Sequence, residues 1–309
     1  MTDSRPMTFD TLLIPTDGSD SADAAARRGF DLATQLEASV HVLSVADSSI
    51  ATGAGYGGDS ASIRNRLREQ ADARTASLQE QAADRGLDAT AVVREGIPTT
   101  KIVGYADEHG VDGIVIGTSG RGGVARAVVG SVADTVVRTA SVPVVTITPE
   151  AADASATATA FDSVLCPTDG SEPATTATLC GLALADRLEA AVHFLSVIDS
   201  DLVDSLAAVS GDDLDPASAL HERAVDHLET LAARGQGRGL EVVTATRGGK
   251  PAEEILDYVD AADVDLIAMG TTGRGGVERA LLGSVTDEVV RTATVPVLSV
   301  RGTGDAGDR

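Results

Sequence analysis

Gly117-Thr-Ser-Gly-Arg-Gly-Gly-Val-Ala-Arg-Ala-Val-Val-Gly-Ser131 is written a second time at residues 270–284, as Gly270-Thr-Thr-Gly-Arg-Gly-Gly-Val-Glu-Arg-Ala-Leu-Leu-Gly-Ser284. Every glycine falls in register. Each copy follows a short apolar run (Gly113-Ile-Val-Ile-Gly117; Leu266-Ile-Ala-Met-Gly270) and precedes a helical pattern that begins at Ser131 or Ser284. A glycine-rich turn between a strand and a helix N-terminus is a place where backbone N–H groups converge on an anion. The likeness runs on: 21 of the 32 aligned positions in 117–148 and 270–301 are identical. The chain is a duplication, and 309 residues is a length for about two domains.

The elements around the repeat read alike in both halves. Phe9-Asp-Thr-Leu-Leu-Ile-Pro15 and Phe161-Asp-Ser-Val-Leu-Cys-Pro167 are short apolar runs suited to strands buried on both faces. Each leads through Thr-Asp-Gly-Ser into a helix, with Ser19 a candidate N-cap in the first. Strands are expected at 40–45, 89–94 and 142–148, and at 192–197, 240–246 and 295–300. Helices are expected over 63–85, 98–109, 173–188 and 216–234. Residues 47–60, with four glycines, read as a loop, and so does the Asp-rich stretch 199–215. Strands alternating with helices imply parallel sheets covered on both faces. Pro143 and Pro296 mark the closing strands as edges, candidates for contact between the halves or with another chain. The division expected is 1–149, a small-residue linker at 150–160, and 161–302.

Composition narrows the function. The formal net charge is −23, from 24 basic and 47 acidic residues. Residues 1–150 hold 13 basic and 20 acidic side chains, and 151–309 the other 11 and 27. Such a field repels nucleic-acid phosphates, and with no Trp, three Tyr and four Phe there is little to stack bases on. Nucleic acid is therefore excluded as a general partner. Only Lys101 and Lys250 are lysines; the acidic surface and small apolar side chains match a halophilic, salt-accumulating cytoplasm. No apolar run approaches a membrane span and Met1-Thr-Asp-Ser-Arg-Pro6 does not read as a secretory signal, so a cytoplasmic location is expected. Cys166 and Cys180 lack metal-ligand spacing and read as filler.

The spacing Gly117-x2-Gly120-x9-Gly130-Ser131, repeated as Gly270-x2-Gly273-x9-Gly283-Ser284, together with Pro15-Thr-Asp17 and Pro167-Thr-Asp169, resembles the tandem universal stress proteins, the UspA-like family in its ATP-binding branch. The resemblance covers nearly all of both repeats. It implies two open five-stranded parallel sheets of order 3-2-1-4-5, an adenine nucleotide alpha hydrolase-like α/β fold. It also implies ATP or another adenine nucleotide in the cleft between the first and fourth strands, with Mg2+ or Mn2+ held through the phosphates. By the same resemblance Pro15, Thr16, Asp17 and Val45 would meet the nucleoside, and Pro167, Thr168, Asp169 and Val197 would do so in the second half. Gly117, Thr118, Gly120, Arg121, Gly122, Gly130, Ser131 and Val132 would meet the phosphates. Their counterparts are Gly270, Thr271, Gly273, Arg274, Gly275, Gly283, Ser284 and Val285.

The residues themselves agree. Gly117 and Gly120 would let the loop turn left-handed and approach a phosphate, and Gly130-Ser131 opens a helix whose dipole favours anions. Local charge reverses as well: residues 117–131 carry Arg121 and Arg126 and no acid, and the second loop has Arg274 and Arg279 against Glu278. The plain alternatives are a structural crossover without ligand, aspartates that only cap helices, and arginines that are merely solvated. No phosphate-binding lysine follows the glycines and no nucleophile–base pair stands out, which argues against phosphoryl transfer. The expected role is regulatory nucleotide binding in a stress response, as a pseudo-dimer within the chain and a candidate homodimer. A slow ATP hydrolase and a nucleotide-free interaction protein are the competing readings.

Overall fold

The computed structural model describes residues 8–47, 60–119, 129–154, 160–210, 215–271 and 282–302. The chain parts at Ala160–Phe161 into two compact units. The first runs β1 (Thr11–Thr16), α1 (Asp20–Leu36), β2 (Ser39–Ala46), α2 (Ser60–Ala83), β3 (Ala89–Glu95), α3 (Pro98–His109), β4 (Gly113–Gly117), α4 (Ser131–Thr139), β5 (Val144–Ile147) and α5 (Pro149–Ala154). The second runs β6 (Ser163–Pro167), α6 (Glu172–Leu188), β7 (Ala191–Asp199), α7 (Ser200–Ser210), α8 (Pro216–Gln236), β8 (Val242–Gly249), α9 (Pro251–Ala262), β9 (Leu266–Gly270), α10 (Ser284–Thr292) and β10 (Val297–Val300).

Within each unit five parallel strands take the order 3-2-1-4-5: β3-β2-β1-β4-β5 in the first and β8-β7-β6-β9-β10 in the second. The central strands are apolar throughout because both their faces are covered. Leu12, Leu13 and Ile14 of β1 are buried, as are Val164, Leu165 and Cys166 of β6. Full burial of such a side chain contributes about 1.5–3 kcal/mol. In the first unit α1 lies on β1 and β4 and α2 on β2 and β3, while α3 and α4 pack together over β2 and β5. In the second, α8 and α9 cover opposite faces of β7. His193 bonds Tyr258 of α9, and the next residue along, Val192, approaches α8 at Gly235.

One carboxylate ties the amino ends of the strands together in each unit. Asp112 Oδ2 accepts from the N–H groups of Asp10 and Thr11, both at 2.9 Å. Asp265 Oδ2 accepts from the N–H groups of Asp162 and Ser163, both at 3.0 Å, and from the Ser163 hydroxyl at 2.9 Å. The aspartate before the fourth strand thus locks the start of the first. It leaves the carboxyl ends of the same two strands to form a site.

Two expectations need correction. Residues 199–215 are not a plain loop, because Ser200–Ser210 is helical. Its aspartates suggest a loop, but Leu202, Leu206 and Val209 recur at helical spacing and Asp199 Oδ1 accepts from the Asp201 N–H at 2.9 Å. The start of the 150–160 linker is also helical, as α5: Pro149 stands at its first position and the Thr148 hydroxyl accepts from the Ala151 N–H at 3.0 Å. The glycine-rich stretch 48–59 lies outside the described residues.

Candidate nucleotide site

At its carboxyl end β1 becomes a turn built by three side chains in succession. The Thr16 hydroxyl accepts from the Gly18 N–H at 3.0 Å, and Asp17 Oδ1 accepts from the Ser19 N–H at 3.0 Å and the Ser19 hydroxyl at 2.7 Å. Ser19 then caps α1, its hydroxyl accepting from the Ala22 N–H at 3.2 Å. The expected cap is Ser19, and Asp17 supports it from two residues before. Gly18 takes φ 76°, a left-handed conformation that costs a residue with a Cβ about 1 kcal/mol or more. The second unit repeats this through Thr168, Asp169, Gly170 (φ 77°) and Ser171. Thr16 and Thr168 are buried and Asp17 and Asp169 half-buried.

Register brings the second half of the site alongside. Leu13 pairs with Ile114, and that offset carried forward sets Thr16 level with Gly117. On the other flank Thr16 pairs with Ser44, whose hydroxyl donates to the Thr16 carbonyl at 3.0 Å, so half-buried Val45 follows directly at the rim. Leu165 pairs with Ile267, which sets Thr168 level with Gly270 in the same way, and Val197 stands where Val45 does. Pro15 and Pro167 are buried within their strands.

The glycine loop is closed at its neck. The Thr118 carbonyl accepts from the Gly130 N–H at 2.6 Å, and the Thr271 carbonyl accepts from the Gly283 N–H at 2.8 Å. Thr118 and Thr271 are buried and continue the ladder to the closing strand, donating their own N–H groups to Ile147 and Val300. Gly130 is the N-cap of α4 and offers no side-chain bond to the first turn. Ser131 and Ser284 are exposed at the helix starts, with Val132 and Val285 half-buried behind them. Gly120, Arg121, Gly122, Gly273, Arg274 and Gly275, with Arg126 and Arg279, lie outside the described residues.

Gly117 and Gly270 serve packing, which corrects the expected left-handed turn. Neither has positive φ. A Cβ on Gly117 would stand 3.2 Å from Ala25 Cβ and from the Ser21 carbonyl oxygen; on Gly270 it would stand 2.9 Å from the Pro173 carbonyl oxygen. The bare backbone lets the first helix of each unit press against the end of the fourth strand. The Gly130 N–H likewise belongs to the neck and not to a ligand.

Some neighbours are invisible to motif reading. The Ser21 hydroxyl donates to the Ser119 carbonyl at 2.8 Å, tying the start of α1 to the start of the glycine loop. Arg74 of α2 lies against the Gly18 turn. In the second unit His227 Nε2 stands 3.3 Å from the Thr168 hydroxyl. The signal available for the last two is the alignment of the repeats, which places residue 74 opposite residue 227.

The arrangement suits holding an anion-bearing ligand. Among the described residues no group of three His, Cys, Asp or Glu side chains could hold a metal ion. Burial pushes the Cys180 thiol up to about 12 and raises Cys166 further, so neither supplies a thiolate. Burial also raises Asp23 on α1, opposed by the nearby Arg27 and Arg74. Among the described residues no helix is long and apolar enough to cross a membrane.

The family model described as "Universal stress protein family" matches residues 8–148 and 160–301. A universal stress protein of Mycobacterium bovis is 29% identical over 307 residues, which is 96% of this chain and 99% of that protein. One from Methanocaldococcus jannaschii is 33% identical over 141 residues, 46% of this chain and 82% of that protein. A universal stress protein from Archaeoglobus fulgidus, solved by crystallography, shares the fold with a TM-score of 0.70 at 21% identity, over 96% of this chain and 97% of the other. With both repeats matched and the 3-2-1-4-5 order present in each unit, the chain belongs to the universal stress protein family, as a tandem pair of its domains.

Proposed function

We propose that each unit binds an adenine nucleotide, ATP or a close relative, at the carboxyl ends of its first and fourth strands. One observation carries this reading. The Thr16-Asp17-Gly18 turn and the neck of the glycine loop stand side by side where the strand order reverses, the place in an open α/β sheet where ligands bind. The nucleoside end would meet Pro15, Thr16, Asp17 and Val45, and Pro167, Thr168, Asp169 and Val197 in the second unit. The phosphates would lie toward Gly117, Thr118, Gly120, Arg121, Gly122 and the start of α4 at Gly130, Ser131 and Val132. In the second unit they would lie toward Gly270, Thr271, Gly273, Arg274, Gly275, Gly283, Ser284 and Val285.

The uncapped first turn of α4 supports the phosphate end, since its N–H groups and dipole favour negative charge. Mg2+ or Mn2+ would arrive with the phosphates and be held mostly by their oxygens. The protein would act as a regulatory binding module in a stress response, in a cytoplasm rich in salt. Ligand would change the surface offered to partners.

Mass spectrometry of small molecules released from gently purified, denatured protein tests occupancy, and calorimetric titration with ATP at molar KCl tests affinity. An adenine nucleotide at up to two per chain is expected. Protein that releases none and gives no binding heat favours a nucleotide-free interaction role. Steady phosphate release above background, lost when both glycine-loop necks are mutated, favours a slow hydrolase.

A further inference from the structure

Helices α2 and α8 occupy the same place in the two repeats, and each is followed three residues on by a left-handed glycine, Gly86 at φ 78° and Gly239 at φ 81°. At that offset Arg74 stands opposite His227 and Arg68 opposite His221. Two permanent cations of the first unit are therefore two imidazoles in the second. The first of these pairs borders the candidate site. A Cβ on Gly18 would come within 2.5 Å of Arg74 Nε, and His227 reaches the Thr168 hydroxyl. His221 lines a cavity of about 590 Å³ with Ile198, Val203, Ala217 and Gly248, which opens one residue beyond Val197. Arg68 pairs with Glu95 at 3.2 Å.

The hydrogen bonds around Thr168 give this exchange a consequence. The Thr168 oxygen accepts from the Gly170 N–H at 3.2 Å and keeps a second lone pair, so its hydroxyl hydrogen meets Nε2 in the tautomer that carries its proton on Nδ1. A protonated imidazole donates to that oxygen, and the hydroxyl hydrogen turns away from the ring and becomes available to a ligand. A positive charge appears beside the turn at the same time. Arg74 can only donate, so the first site stays permanently in the charged state. Its neighbour there is the Asp23 carboxylate, whose counterpart in the second unit is the neutral Thr175.

We propose that ligand binding at the second site is coupled to proton uptake by His227, while the first site binds independently of pH over the range where imidazole titrates. The proposal rests on the nucleotide reading above. The charged groups around the two imidazoles are Asp169 in the turn, Asp204 of α7 across the cavity, and Glu222, Arg223 and Asp226 of α8 itself. The strands beneath α8 offer Val192, Val242, Ile198 and Gly248, none of which titrates.

Calorimetric titration of the full chain with ATP between pH 5.5 and 8.5, in buffers of different ionisation enthalpy, tests it. Gly130→Pro and Gly283→Pro variants weaken one site at a time. Protonation of ATP itself acts alike at both sites, so the ratio of the two affinities is the readout. From pH 8 to 6 the second site should gain about tenfold over the first, with net proton uptake. His227→Arg should flatten that ratio, and Arg74→His should import the dependence into the first site, each variant keeping the wild-type circular dichroism. Equal pH profiles at two working sites, or a wild-type ratio in His227→Arg, overturns the proposal. Absence of binding heat at either site at every pH overturns the nucleotide reading and this proposal with it.

Discussion

The N–H of Gly130 donates to the carbonyl of Thr118 at 2.6 Å, closing the neck of the glycine loop with a main-chain bond that Gly283 and Thr271 repeat at 2.8 Å. Gly130 has φ −60° and ψ 143°, which proline adopts without strain. Gly130→Pro therefore removes the donor without straining the backbone at residue 130. Stability should fall by about 1 kcal/mol in urea unfolding. Calorimetry should show ATP affinity at the first site reduced by at least about tenfold, with the second site unchanged.

Gly117→Ala and Gly270→Ala should differ. The new methyl meets Ala25 Cβ and the Ser21 oxygen at 3.2 Å in the first case, but the Pro173 carbonyl oxygen and carbon at 2.9 and 3.0 Å in the second. Main chain faces both methyls, but the approach is closer at Gly270, so Gly270→Ala should cost about 1–3 kcal/mol and Gly117→Ala less. Paired urea curves decide the ranking.

Helices α1 and α6 both end on a glutamate in the left-handed region, Glu37 and Glu189, each at φ 54°. Glycine takes that conformation without the Cβ conflict. Glu37→Gly and Glu189→Gly should each raise stability by up to about 1 kcal/mol. An unchanged or lower urea midpoint in both variants would contradict this account of the caps.

Asp112 holds two main-chain N–H groups at the opposite end of the strands from the site. Asp112→Ala leaves both donors without their charged acceptor and should cost about 1.5–3 kcal/mol. Nucleotide affinity should hold under conditions where the variant is folded, as calorimetry would report.

His41 and His193 each meet a tyrosine hydroxyl through Nδ1 at 3.0 Å, and burial holds both imidazoles below the usual range. A depressed histidine binds its proton more readily in the unfolded chain. Its stabilising contribution is complete above about pH 6.5 and declines as pH falls from there through the folded value. Urea midpoints taken from pH 7.5 to 5.5 should fall, and less steeply in a His41→Asn/His193→Asn variant.

How much could be read in advance follows from the scale of the interactions. Apolar runs such as Leu12–Ile14 and Ile114–Ile116 are local patterns, so strand identity, parallel pairing and the duplication are legible from residue order. The helix at Ser200–Ser210 is missed because its aspartates outweigh a weak apolar period. The packing role of Gly117 and Gly270 is missed because the atoms they avoid belong to α1 and α6, distant in sequence.

Residue order by itself determined the two repeats, the α/β class with its family, and the candidate ends of the cleft at Asp17, Asp169 and the glycine loops, because periodicity and turn chemistry are short-range properties. Tertiary structure alone decided which side chains border those ends. Arg74 beside Gly18 and His227 beside Thr168 come from helices more than fifty residues away along the chain, and only packing of helix on sheet sets them there.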